Sequence, residues 1–262
     1  MGDESSAITP STPPASSHVA ESPIVSKSEW LIIQRDRVFA ILKGDEGVPV
    51  AELLCAIESL GVGYDIVFGS GWAAPLATAC KGDLSSHVGA LRNALESYLN
   101  ESQKDSTSEG RICTVEKLVE QQISLHGNSE GVRHAGSGNI VNHLLWIKRI
   151  LAFIAHFLKL VAGIDANAQK SEPYQAARAA YSEFFSPFHP TILQWMVPPL
   201  LGLVPSRKSM LAEMGVNAEH EAEQLALARR LSFEAMQPVA DKMHDILSRH
   251  NCLFTDKAGA AF

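Results

Sequence analysis

One segment constrains the fold of this chain more than any other: residues 142–160, NHLLWIKRILAFIAHFLKL. Its apolar residues follow the spacing of an α-helix and also fill most of the other positions, so the predicted helix has to be covered by protein on most sides. The most apolar part, residues 150–164, is only 15 residues long and contains His156 and Lys159. Because a membrane-spanning helix needs about 20 apolar residues, we expect a core helix of a globular domain.

The rest of the chain also predicts helices. Apolar residues have helical spacing from Trp30 to Lys43, after Pro49, from about Asp83 to about Leu99, and from residue 217 to residue 250, with an interruption expected at Pro198 and Pro199 and a kink at Pro238. No segment alternates apolar and polar residues as a strand does. We therefore expect an all-α fold of about eight helices.

The N-terminal segment differs in composition from the remainder. Residues 1–26 contain four prolines, seven serines and no Phe, Trp or Tyr. Such a segment cannot bury enough apolar surface to offset the conformational entropy lost on ordering. We expect a disordered Ser/Thr/Pro-rich leader over residues 1–26 and one folded domain over residues 27–262.

Composition argues against several classes of protein. The net charge is −7 and no run of basic residues occurs, which argues against nucleic-acid binding and against strong electrostatic attraction to anionic membranes. The four cysteines have no CxxC spacing, so neither a zinc site nor a disulfide framework is expected. No secretory signal and no heptad seam is legible, so we expect a monomer in the cytosol.

The predicted core helix carries a graded stripe along one face. On an α-helix one face collects Asn142, Trp146, Arg149, Ile150, Phe153 and Phe157. The stripe begins polar and ends apolar, which suits an amphiphilic ligand whose head group lies near Trp146 and whose hydrocarbon follows the phenylalanines. The alternative is that Trp146 only fills the core, as large aromatic residues usually do, and that Arg149 lies on a solvated edge or pairs with an acidic residue.

Two further stretches offer polar groups to such a site. In GDLSSH, Asp83 and His87 stand four residues apart on one helical face and could together hydrogen-bond a polyol. In YSEFFSPFHP, His189 precedes a helix that begins with Pro190. The alternatives are a helix N-cap for Asp83, a partly exposed helical position for His87 and a capping role for His189. A metal site is not expected, because Asp83 and His87 have no legible third ligand.

These three motifs, in this order, resemble the glycolipid transfer protein family. The strings that carry the resemblance are GDLSSH, LLWIKRILAFI and YSEFFSPFHP. The likeness extends from about Trp30 to about Phe254, because ELLCAIESLGVGYDIVFG precedes the aspartate as a similar segment does in the family. Each motif alone is weak, whereas the ordered set is fairly specific.

The resemblance implies a two-layer helical sandwich around an apolar tunnel and the non-enzymatic transfer of a sphingolipid between membranes, with no cofactor. It implies that Asp83 binds the ceramide amide N–H, that His189 donates to the amide carbonyl, and that Trp146 stacks against a sugar ring. Family members that bind a phosphate head group carry Arg at the Trp position and again one turn earlier. This chain has Trp146 and Asn142 there, which favours a glycosylceramide, because neither guanidinium is present to grip a phosphate.

The chain also departs from the family pattern. Glycolipid-binding members carry Asn where this chain has His87, and Lys where it has Ala90. A tryptophan thought to touch the membrane is replaced by Thr191, so Trp195 or Trp72 would have to make the transient membrane contact. These changes leave three alternatives open: a ceramide-1-phosphate-type carrier, a lipid sensor that signals to protein partners through the leader, and a helical scaffold without a lipid pocket.

Overall fold

The computed structural model describes residues 29–43, 47–68, 74–104, 112–136, 138–163, 169–214, 216 and 218–254. The predicted leader over residues 1–26 and the side chain of Trp72 lie outside these residues. Over the described ranges the chain forms twelve α-helices and no strand, which confirms the predicted all-α class.

The helices follow one another with short connections. Their bounds are α1 (Trp30–Leu42), α2 (Val50–Glu58), α3 (Leu60–Phe68), α4 (Ala74–Lys104), α5 (Val115–His126), α6 (Ser129–His134), α7 (Ile140–Ala162), α8 (Pro173–Phe184), α9 (Thr191–Leu201), α10 (Arg207–Glu213), α11 (Glu221–Arg230) and α12 (Gln237–Arg249). A 3₁₀ turn (Ala218–His220) precedes α11, and a π-helical segment (Leu231–Met236) joins α11 to α12.

Helix α7 is the predicted core helix, and both of its ends are specified by sequence. The Asn139 side chain accepts a hydrogen bond from the backbone N–H of Asn142 at 3.0 Å, which caps the first turn. Gly163 follows the last turn with φ of 78°, a conformation that favours glycine. Of the 23 residues of α7, 16 are buried, so protein covers this helix on most sides.

The other helices pack around α7. It contacts α4, α5, α8, α11, α12 and the π-helical segment, while α1 packs against α2 and the π-helical segment. The result is the two-layer helical sandwich that was expected. Among the described helices, none has the length and the apolar character that crossing a membrane requires.

Two sequence predictions around the first half of the domain were wrong. Helix α4 runs from Ala74 to Lys104, well beyond both ends of the predicted helix. Pro75 is its second residue, where a missing N–H is tolerated, so the helix starts there. Asp83 therefore lies in the third turn of α4 and is not a helix N-cap.

Proline also has different consequences from those expected in the second half. Helix α9 continues through Pro198 and Pro199 to Leu201, although neither proline has an N–H to donate to the carbonyls of Gln194 and Trp195. Pro238 is the second residue of α12, directly after the π-helical segment. The position expected to be a kink thus follows a π-helical turn, in which the backbone N–H of Gln237 donates to the Ser232 carbonyl.

Replacing Leu151 in the middle of α7 by alanine should lower the free energy of unfolding by about 2–5 kcal/mol, because the side chain is fully buried and leaves a cavity. The matched control is Leu125→Ala at the end of α5, where the side chain is 71% exposed. That change should stay within about 0.5 kcal/mol of wild type in urea unfolding. Equal losses for the two variants would contradict the central position of α7.

Candidate functional site

A cavity of about 330 Å³ opens between α3, α4, α7, α8 and α9. Its lining is mostly apolar, with Ile150 and Phe153 from α7 and Leu193, Met196 and Val197 from α9. Polar groups enter the lining from Asp83, Trp146, Tyr181 and His189. The cavity therefore combines a mostly apolar lining with a few hydrogen-bonding groups, as ligand pockets for amphiphiles do.

A smaller cavity of about 30 Å³, the inner cavity, is lined mostly by buried residues and shares part of this lining. Tyr64, Phe68 and Phe153 line both spaces, while Phe157 and Trp30 line only the inner one. The Trp30 indole N–H donates to the Ser59 carbonyl at 2.8 Å, which holds the ring against Gly63. A Cβ at Gly63 would overlap that ring, so only glycine allows this close approach.

Trp146 stands at the centre of the aromatic wall. Its ring lies 5.5 Å from the ring of His189 and 6.0 Å from that of Phe185, measured between centroids. The ring of His87 stacks on that of Trp146 at 6.5 Å with an interplanar angle of 18°. Trp146 is only half-buried and lines the larger cavity, so it does more than fill a closed core.

Arg149, one turn further along α7, is not a solvated edge residue as one reading of the sequence proposed. Only 6% of it is exposed, and its guanidinium carbon lies 3.6 Å from the ring centroid of Phe188 and 4.8 Å from that of Trp146. A guanidinium N–H donates to the Phe254 carbonyl at 3.1 Å. Burial lowers the pKa of Arg149 to about 10, which still leaves it charged at neutral pH.

His189 follows α8 and is held by a tyrosine. Its Nδ1 lies 3.1 Å from the Tyr181 hydroxyl, and that hydroxyl also lies 3.2 Å from the Leu193 carbonyl. Tyr181 has one proton and can donate it to only one of these acceptors at a time. When Tyr181 donates to Nδ1, the neutral imidazole carries its hydrogen on Nε2 and can donate that hydrogen to a ligand.

Asp83 and His87 occupy different environments although they share one face of α4. The Asp83 side chain is 43% exposed at the cavity wall, whereas His87 is buried. The Nε2 atom of His87 lies 3.5 Å from an Asp83 carboxylate oxygen, and its Nδ1 lies 2.9 Å from Nδ1 of His143 on α7. Asp83 and His87, the pair expected on α4, therefore continue to His143 of α7 and form a row of three interacting side chains.

Three predicted residues do not line the larger cavity: His87, Asn142 and Phe157. The Asn142 side-chain amide donates to the Gly136 carbonyl at 2.7 Å, in the turn before α7. Phe157 lies one turn beyond Phe153 and lines the inner cavity. The stripe predicted along α7 thus runs from Asn142, which contacts the preceding turn, past Trp146 to Phe157 in the lining of the inner cavity.

Sequence reasoning missed Tyr181 and His143. Tyr181 lies eight residues before His189 within the quoted string YSEFFSPFHP, but α8 ends at Phe184, so helical spacing gave no signal for their contact. His143 had no signal either, because its approach to His87 depends on how α4 and α7 pack. The Cys80 thiol also lines the cavity, and burial, helped by Asp83, raises its pKa to about 12, so it behaves as an apolar group there.

One other cluster has the composition of a metal site. Glu116, Glu120 and His250 bring three potential ligand atoms within 4.8 Å of one another. Arg249 already pairs with the Glu116 carboxylate at 2.6 Å, which balances its charge. The larger cavity is the better candidate for a functional site, because it joins a shaped space to converging polar groups.

Comparison with known proteins identifies the family of this chain. The sequence model described as glycolipid transfer protein (GLTP) matches residues 67–216, which is more than half of the chain. The chain belongs to the glycolipid transfer protein family. This confirms the resemblance carried by the three motifs. Since proteins of this family transfer lipids and are not enzymes, it also confirms the prediction of a non-enzymatic function.

Solved structures of the family share the fold. A mutant of the Arabidopsis protein accelerated-cell-death 11, complexed with C12 ceramide-1-phosphate, has a TM-score of 0.62 at 15% identity and covers 88% of this chain and 98% of its own. The apo-form of the mouse ceramide-1-phosphate transfer protein gives 0.61 at 17% identity, covering 88% and 100%. FAPP2, which selects simple glycosphingolipids using the GLTP-fold, gives 0.62 at 17% identity, covering 81% and 91%. Comparison with curated proteins gives no significant match.

The environment of His189 predicts how stability depends on pH. Burial lowers its pKa from 6.5 to about 4, so the unfolded chain binds this proton between those values and the native protein does not. Stability should therefore fall as the pH drops from about 6.5 to about 4, with His189 contributing up to about 3 kcal/mol of the loss. Urea unfolding of His189→Gln across this range should show a smaller loss than wild type. An identical pH dependence in both proteins would exclude a neutral, buried His189.

Proposed function

We propose that this protein carries one sphingolipid, most simply a glycosylceramide, between membranes. The observation that carries the proposal is the convergence of Asp83, Trp146 and His189 on the wall of one apolar cavity of about 330 Å³. The hydrocarbon chains would lie along Ile150, Phe153 and Phe157, and the head group would lie at Trp146. The carrier would work as a monomer in the cytosol and contact membranes only transiently.

The polar groups suit the amide of a ceramide. An amide has one N–H donor and one carbonyl acceptor, so its recognition needs one acceptor and one donor from the protein. The Asp83 carboxylate accepts, and His189 donates through Nε2 when Tyr181 donates to Nδ1. Tyr181 is a positioning residue in this account, since it selects the tautomer of the imidazole.

Trp146 supports the choice of a sugar. Its half-buried ring offers a flat apolar surface on which the C–H face of a sugar can pack. The stacked ring of His87 helps to hold the indole in place. Asn142 directs its side-chain amide to the Gly136 carbonyl and carries no charge for a phosphate. A head group with several hydroxyls fits these surroundings better than one that needs two guanidinium groups.

A phosphate head group is the alternative, and one observation favours it. The Arg149 guanidinium lies 4.8 Å from the centroid of the Trp146 ring, and its buried Nε has no hydrogen-bond partner among the described residues. The related structure of accelerated-cell-death 11 also holds ceramide-1-phosphate. Release of Arg149 from the Phe254 carbonyl would be needed before it could bind a phosphate bidentately.

Burial of hydrocarbon supplies most of the affinity in either case. Each methylene taken out of water contributes about 0.8 kcal/mol, so a dozen of them contribute about 10 kcal/mol. Release of such chains into water would return that free energy, so exchange has to take place at a bilayer. Four exposed apolar residues of α9 offer a contact surface beside the cavity: Ile192, Trp195, Met196 and Leu200.

Asp83→Asn should lower the rate of glucosylceramide transfer between vesicles about tenfold or more, because a hydrogen bond to a charged group contributes about 1.5–3 kcal/mol. The matched control is Asp245→Asn, an exposed aspartate of α12, which should transfer at the wild-type rate. The same assay with ceramide-1-phosphate compares the two head groups. Faster transfer of the phosphate lipid by wild type would select the alternative carrier, and no transfer of either lipid would favour a scaffold without a lipid pocket.

Trp195→Ala should weaken binding to uncharged phosphatidylcholine vesicles about tenfold or more, because the ring is 75% exposed and would lose its burial in the bilayer. Leu125→Ala is the control, since its side chain is 71% exposed but belongs to α5. Vesicle co-sedimentation measures both variants. Unchanged binding of Trp195→Ala would mean that the membrane contact lies elsewhere on the protein.

A further inference from the structure

We propose that His87 and His143 share a hydrogen and that uptake of one more proton by this pair lets the site accept a sphingolipid with an anionic head group, a sulfate or phosphate ester. The inference rests on the proposed sphingolipid carrier and adds a determinant of its head-group choice. Without the extra proton the two imidazoles are neutral, and the same site favours an uncharged sugar.

The geometry of the pair requires at least one hydrogen between the rings. The two Nδ1 atoms lie 2.9 Å apart, and the rings meet edge to face at a centroid distance of 5.2 Å. Two nitrogen lone pairs would repel each other at this distance, whereas an N–H donating to a lone pair is attractive. One imidazole therefore donates through Nδ1, and the other accepts.

Asp83 decides which ring donates. Its carboxylate oxygen lies 3.5 Å from Nε2 of His87, and that nitrogen has no hydrogen-bond partner within the described part of the chain. The negative charge favours a hydrogen on Nε2 of His87, so Nδ1 of His87 is its lone-pair nitrogen. His143 then donates through Nδ1, and its own Nε2 is the position at which the next proton binds.

The added proton would act on the head group through its positive charge. His87 stacks on the Trp146 ring at 6.5 Å, and Asp83 and Trp146 both line the cavity in which the head group is proposed to bind. His143 is half-buried and contacts His87, which is only 6% exposed, so water screens a charge on His143 only in part. One added positive charge offsets Asp83 and makes the site attractive to an anion.

The surrounding groups keep His143 uncharged near neutral pH. Burial lowers the pKa of His143, the charge of His87 lowers it further, and Asp83 acts in the opposite direction. Asp83 also faces Tyr64 from α3 and His189 from the segment after α8, while Arg149 from α7 acts on His189. Proton uptake is thus confined to pH values below about 6.5, the ordinary value for histidine. By linkage, an anionic head group would raise the pKa of His143 and bind with uptake of a proton.

Sulfatide and galactosylceramide are the probes that test this proposal. They share the same sugar, and the sulfate of sulfatide stays ionised across the range used, so any change with pH comes from the protein. Transfer of each lipid between phosphatidylcholine vesicles is measured from pH 7.5 to pH 5. The ratio of sulfatide to galactosylceramide transfer should rise about tenfold as the pH falls, since the pair gains one positive charge beside the head-group site. Ceramide-1-phosphate then tells whether a phosphate ester behaves as the sulfate does.

The decisive variant is His143→Gln, which keeps hydrogen-bonding groups but cannot gain a charge. Its transfer ratio should stay flat with pH, whereas the control His134→Gln, at an exposed histidine of α6, should follow wild type. A flat ratio in wild type alongside measurable galactosylceramide transfer overturns the proton-dependent pair and leaves the proposed carrier intact. A pH dependence that survives in His143→Gln assigns it to another group and also overturns the proposal. Absence of transfer for every lipid overturns both this inference and the proposed carrier.

A second measurement keeps the test independent of whether the variant folds. Nitrogen-15 chemical shifts of the wild-type histidines report which ring nitrogens carry a hydrogen, with and without short-chain sulfatide. We expect a hydrogen on Nδ1 of His143 and a lone pair on its Nε2 at pH 7.5, and protonation of that Nε2 at a higher pH when sulfatide is bound. An Nε2 of His143 that carries its hydrogen throughout would overturn the proposal.

Discussion

The burial of α7 is the constraint on which the rest of this structure depends. A helix with 16 of 23 residues buried carries polar groups inward, and most of them have to find partners. His143 meets His87 of α4, and Arg149 lies between two aromatic rings and bonds the Phe254 carbonyl. The Ser232 hydroxyl donates to the α7 carbonyl of Ala155 at 2.7 Å, which ties the π-helical segment to the same helix. The polar contacts of α7 therefore fix the positions of its neighbours as much as its apolar face does.

The larger cavity results from this arrangement because α7 is not covered evenly. Where α3, α4, α8 and α9 approach it, aromatic and aliphatic side chains leave a space with Asp83, Trp146, Tyr181 and His189 in its wall. The apolar wall gives affinity for hydrocarbon of almost any kind, whereas the few polar groups discriminate between head groups. This division of roles explains how one fold in the family can serve lipids as different as glycosphingolipids and ceramide-1-phosphate. In this chain the discrimination would depend on the ring of Trp146 and the charge state of the histidines next to it.

The fold was largely predictable, because helical periodicity and the ordered motifs are local properties of the sequence. Asp83, Trp146 and His189 come from the three motifs in turn, and all three line the larger cavity. Their proposed roles stay predictions. What could not be predicted depends on packing between distant segments: the meeting of His87 with His143, the burial of Arg149 and the length of α4. Arg149 is the clearest case, because its position next to Lys148 indicated a solvated edge, and only the approach of Phe188 and Phe254 encloses it. A charged residue next to another charge is therefore a poor guide to exposure when it also lies on an apolar helical stripe.

A crystal structure of the protein with glucosylceramide tests the central claim most directly. The account predicts one lipid per chain, with its amide N–H directed at the Asp83 carboxylate, its amide carbonyl within hydrogen-bond distance of Nε2 of His189, and its sugar stacked on Trp146. The hydrocarbon should follow Ile150 and Phe153 towards Phe157 and widen the inner cavity. A lipid bound outside this cavity, or one whose head group avoids both Asp83 and Trp146, would contradict the account.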